Sequence, residues 1–76
     1  MTKLYLFVLD EENNKKEEIE LAKPYNYIQL LNVLRQKINY VPEQYDIFMI
    51  DSNNREIKIT NEENYVLYKI FYLFVK

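Results

Sequence analysis

Apolar and polar positions change period several times along this chain, and each change marks an element. Leu4 to Leu9 is an unbroken apolar run rich in strand formers. As a strand it puts Leu4, Leu6 and Val8 on one face, and Tyr5, Phe7 and Leu9 on the other. Asp10 to Lys16 is polar and contains Asn13-Asn14. The chain has no glycine, so asparagine is the residue best able to take positive φ, and this pair is expected to carry the reversal. Glu17 to Leu21 then alternates, with Ile19 and Leu21 on one face and Glu18 and Glu20 toward water. The two segments predict an N-terminal hairpin.

Pro24 ends the second strand, and the period shifts to that of a helix. Tyr27, Leu30, Leu31, Leu34 and Ile38 form one apolar stripe, while Gln29, Asn32, Arg35 and Gln36 take the other side. Asn26 and Gln29 stand at capping-box spacing, with Tyr25 and Leu30 at the flanking staple positions. Asn39 is the expected C-terminal cap in the left-handed region, and Pro42 prevents continuation.

A third strand is predicted over Tyr45 to Ile50, then a glycine-free turn at Asp51-Ser52-Asn53-Asn54. Ile57 and Ile59 alternate with Glu56 and Lys58 in a short fourth strand. Thr60 to Tyr65 reads as a loop or a single helical turn. Tyr68 to Val75 is apolar on both faces, which predicts a last strand in the middle of the sheet.

Composition narrows the chemistry more than the partners. At 76 residues there is room for one domain, spanning 1–76. Cysteine and histidine are both absent, which removes disulfides, thiolate nucleophiles, the commonest general base and the usual zinc ligands. The only serine, Ser52, lies in a turn, and no Gly-rich phosphate loop can be built. Asp51-Ser52-Asn53 starts like a calcium loop but lacks the glycine and the closing glutamate. No enzyme activity, cofactor or metal is expected. The net charge of −2, with scattered Lys and Arg, argues against nucleic acid. No run approaches the ~20 apolar residues of a membrane span, and no signal-peptide pattern opens the chain. A monomer in the cytoplasm or nucleus is expected.

The order ββαββ, with a polar connection before the last strand, resembles the ubiquitin-like (β-grasp) family. Tyr27 to Met49 can be laid against ubiquitin without a gap. Tyr27, Leu30 and Leu34 fall on helix core positions, and Pro42-Glu43-Gln44 on the family's Pro-Asp-Gln connection. Ile47 falls on a core leucine, and Phe48 on the isoleucine at the centre of the recognition patch. Tyr65, after Glu63-Asn64, resembles the turn whose tyrosine bonds the backbone. Tyr72 and Phe74 meet the residues flanking the patch, and Asp46 stands where the family has an arginine. The PB1 domain, a related β-grasp family, is a weaker match, because the acidic residues of Asp51 to Glu56 are diluted.

The resemblance implies an α+β fold: a four- or five-stranded mixed sheet with one helix packed across one face. It also implies a non-catalytic protein-interaction domain, binding other proteins through the outer sheet face at Phe48, Tyr72, Phe74, Tyr5 and Phe7. If the two faces are exchanged, these same rings are core. The family's Leu-Arg-Gly-Gly ending has no counterpart before Lys76, so conjugation is not expected of the chain as written. One unit of a larger or self-processed fusion precursor, polyubiquitin-like in organisation, would not need its own diglycine. The alternative is a modifier whose tail lies outside these residues or is attached by another chemistry.

Overall fold

The computed structural model describes residues 2–76. Seven elements follow in order: β1 (Lys3–Leu9), β2 (Lys15–Ala22), α1 (Tyr27–Ile38), β3 (Ile47–Ile50), β4 (Glu56–Lys58), α2 (Glu62–Leu67) and β5 (Tyr72–Val75). The strands make one five-stranded mixed sheet in the order β2-β1-β5-β3-β4. β5 runs parallel to β1, and the other neighbours are antiparallel. The apolar last strand is therefore central, as its two-sided apolarity predicts.

The first hairpin and the main helix form where the periodicity places them. Asn26 caps α1 by accepting the Gln29 N–H at 2.8 Å, which satisfies one of the helix's unpaired donors. The Gln29 side chain reaches back one residue further than a capping box does, accepting the Tyr25 N–H at 3.0 Å. The hydrophobic staple does not form: Tyr25 is 88% exposed, and Leu30 packs into the core without it. At the other end Asn39 is left-handed at φ 53°, and its N–H bonds the Leu34 carbonyl. Asn13 (φ 65°) and Asn54 (φ 63°) are the other positive-φ residues among those described. The first reversal thus turns on Asn13, not on the pair.

The core lies between the sheet and α1. Leu4 and Leu6 of β1, Leu73 and Val75 of β5, and Ile47 of β3 meet Leu30 and Leu34 of α1. Full burial of such a side chain contributes about 1.5–3 kcal/mol. The inner set Leu4/Leu6 and Ile47 sends the intervening residues to the opposite face, which α1 leaves uncovered.

Three expectations are corrected. The connection before the last strand is a second helix, α2, and not a loop or single turn. Asn61 caps it by accepting the Asn64 N–H at 2.8 Å, and the Glu62 carboxylate accepts the Tyr27 N–H at 2.7 Å, tying α2 to the start of α1. That helix consumes residues up to Leu67, so β5 begins at Tyr72 and not at Tyr68. β3 begins at Ile47, because the Gln44 and Tyr45 N–H groups both turn back onto the Val41 carbonyl. No helix among the described residues is long and apolar enough to cross a membrane.

Candidate interaction face

The sheet face opposite α1 carries a row of five aromatic rings across three strands. Register builds it: Tyr5 stands beside Tyr72, Phe7 beside Phe74, and Phe74 beside Phe48. Ring centroids lie 5.6 Å apart for Tyr5–Tyr72, 6.0 Å for Phe7–Tyr72, 5.3 Å for Phe7–Phe74 and 5.4 Å for Phe48–Phe74. Neighbouring planes are within 28° of parallel. Such pairs contribute about 0.5–1.5 kcal/mol each beyond their buried area, so the row also holds β1, β5 and β3 together.

All five residues singled out from the sequence are brought onto this one face, but they are not equally accessible. Tyr72 is 55% exposed, while Tyr5 and Phe74 are half-buried. Phe7 and Phe48 are corrected: both were expected to be open to partners, and they are only 6% and 5% exposed. Parity set their side of the sheet but said nothing of what their neighbours cover. Phe7 lies under the Lys15 ammonium, 4.3 Å from the ring centroid. Phe48 sits between Phe74 of β5 and Lys58 of β4, and the Lys58 stem crosses toward Asp46, 3.5 Å from its ammonium.

Charged side chains rim the row. On the β2 side Glu20 stands opposite Tyr5 and Glu18 opposite Phe7. Glu20 pairs with Lys3 at 2.6 Å, and this bond holds the lysine above its ordinary pKa. On the β4 side the rim is Lys58 with Asp46. An apolar centre with a polar rim is the usual anatomy of a protein-binding surface.

One part of the face was not foreseen. A groove of about 270 Å³ opens beside the row, lined by Met49, Ile50, Phe71, Tyr72 and Phe74 among others. Ile50 is 38% and Phe71 47% exposed. Ile50 shares the parity of Phe48 and is legible from β3. Phe71 is not, because the sequence predicts a longer last strand, in which parity turns it inward.

The two buried hydroxyls belong to the fold. Tyr40 donates to the Tyr45 carbonyl at 3.1 Å, and Tyr65 donates to the Pro24 carbonyl. Burial pushes the Tyr65 phenol up to about 12. Asp51 uses its carboxylate internally, accepting the Asn53 and Arg55 N–H groups at 2.9 Å and the Arg55 guanidinium at 3.1 Å. Among the described residues no group of three or more carboxylates is placed to hold a metal ion.

No protein-family model matches the chain, and no curated protein matches it. Geometry alone therefore defines the class: an α+β domain whose five-stranded mixed sheet is covered by helix on one face and presents a rimmed aromatic row on the other.

Proposed function

We propose that this chain is a non-catalytic, ubiquitin-like (β-grasp) interaction domain that binds other proteins through the outer face of its sheet. The observation that carries the reading is the aromatic row opposite α1, with Tyr72 more than half exposed on the central strand β5. The ring of Tyr72 adds nothing to the core between sheet and α1, and exposed apolar patches with polar rims mark contact sites. The β-grasp assignment draws on the resemblance of Tyr27 to Met49, and on the central β5 with α1 across one face, which is compatible with that architecture. The tyrosine turn fits as well, since the Tyr65 hydroxyl bonds the backbone at Pro24.

Asp46 stands where the family's patch has an arginine, and it pairs with Lys58, so ordinary ubiquitin receptors are expected to bind poorly. The test compares affinity capture by the parent chain with capture by Tyr72→Ala. Partners held by the first and lost by the second support the reading, provided that amide shifts from a purified partner fall on Tyr5, Tyr72 and Phe74. Equal capture by both chains, or shifts confined to α1, would remove the outer face as the binding site. The modifier alternative is separated by the gene beyond codon 76, where a Gly-Gly pair would replace the interaction-domain reading.

A further inference from the structure

We infer that the junction of α2 and β5 is a self-association surface, whose occupant is a second copy of this chain. Tyr65 faces the core, so the opposite side of α2 carries Glu63 and Leu67, one turn apart. Leu67 is 69% exposed, and Val66 beside it is 62% exposed. This is a projecting apolar ridge with one acid on it. Four residues later the groove beside β5 begins, with Phe71, Tyr72 and Ile50 in its walls and Lys69 as its one charged lining residue. Neither Glu63 nor Lys69 belongs to an ion pair among the described residues.

Ridge and groove carry opposite charges, Glu63 on the one and Lys69 in the lining of the other. They also adjoin, since four residues span at most about 14 Å. A two-fold contact requires one patch to carry both halves of a complementary pair, and this patch carries both. Leu67 of each copy then enters the groove of the other, and Glu63 of each faces Lys69 of the other. A contact made by a six-residue helix and one groove falls at the small end of protein interfaces, so the dimer is a weak one. It departs from the monomer expected from sequence, because the exposure of Leu67 and Phe71 follows from the full length of α2, of which the sequence predicts at most one turn ending at Tyr65.

The test is sedimentation equilibrium from ~10 μM to ~1 mM, the range in which weak dimers populate. The mass is expected to rise from 9.4 kDa toward twice that value. Leu67→Ser should abolish the rise while leaving the melting curve unchanged, because the side chain is exposed. Glu63→Lys and Lys69→Glu should each weaken association about tenfold by placing like charges together, and the two combined in one chain should restore it. A mass of 9.4 kDa throughout, a Leu67→Ser chain that associates like the parent, or a double reversal as weak as the single ones would each overturn the proposal.

Discussion

The carboxylates of Asp10 and Asp51 hold the same position in the two hairpins of the sheet. Asp10 Oδ1 accepts the N–H groups of Glu12 and Asn14, each at 2.9 Å. Asp51 Oδ1 accepts those of Asn53 and Arg55, again at 2.9 Å. In both, the carbonyl of the aspartate accepts from the residue three on, Asn13 or Asn54, which is the left-handed one. The shared motif, Asp-x-x-Asn, lets a glycine-free chain reverse tightly, with the aspartate ordering the turn and the asparagine taking the positive φ.

The motif predicts an asymmetric tolerance. Asn13→Gly and Asn54→Gly should stay within about 1 kcal/mol of the parent, because glycine relieves the left-handed strain while adding unfolded-state entropy. Asn13→Ala and Asn54→Ala should cost about 1 kcal/mol or more, since a Cβ without a polar partner disfavours that region. Urea midpoints decide it, and equal tolerance of glycine and alanine would contradict the assignment.

Acid should weaken both hairpins. The N–H bonds, led by that of Asn14 for Asp10 and that of Arg55 for Asp51, hold both carboxyls below the ordinary aspartate value. Groups depressed in the folded state stabilise it above the unfolded pKa of about 3.9, and that contribution is lost as pH falls through the folded values. Melting temperature should therefore decline below about pH 4. An Asp10→Asn/Asp51→Asn chain keeps a neutral acceptor at each site. It should melt lower than the parent at neutral pH, and the two curves should converge in acid.

Tyr65→Phe should cost about 1–3 kcal/mol, because it leaves the buried Pro24 carbonyl without its donor. The intact phenol, pushed up to about 12, stays protonated in the fold after an unfolded tyrosine, near 10, has ionised. The stability it supplies is complete below about pH 10 and is lost as pH rises toward 12. Burial also pushes up Tyr27 and Tyr40, so ultraviolet titration should show Tyr65 ionising last of these, and Tyr65→Phe should remove that final phase.

Phe48 and Tyr72 should separate stability from recognition. Phe48→Ala empties a site that is 5% exposed, and should cost about 3–5 kcal/mol in denaturant melts. Tyr72→Ala removes a ring that is 55% exposed, and should stay within about 1 kcal/mol. If instead Phe48→Ala is neutral and Tyr72→Ala unfolds the chain, the outer face has been read the wrong way round.

What the sequence determined by itself was local. The alternation of Ile19 and Leu21 with Glu18 and Glu20, the stripe from Tyr27 to Ile38, the caps at Asn26 and Asn39, and the parity separating Ile47 from Phe48 each depend on neighbours a few residues away. The physics that sets them is backbone sterics and side-chain period, both readable along the chain. The sides taken by Tyr5, Phe7, Phe48, Tyr72 and Phe74 followed from that parity.

Only the tertiary structure decided how deep those rings lie. Burial of Phe7 and Phe48 depends on Phe74, brought in from the remote strand β5, and on Lys15 and Lys58, which the two hairpins fold across the rings. The helix α2 was half-legible: Asn61 and Asn64 stand at capping distance, yet six residues are too few for a helix to hold without tertiary support. Its anchors are the bond from Glu62 to the start of α1 and the Tyr65 hydroxyl on Pro24, 35 and 41 residues away along the chain. Contacts between residues that far apart leave no period in the sequence. That is why β5 proved shorter than expected, and why Leu67 and Phe71 emerged at the surface.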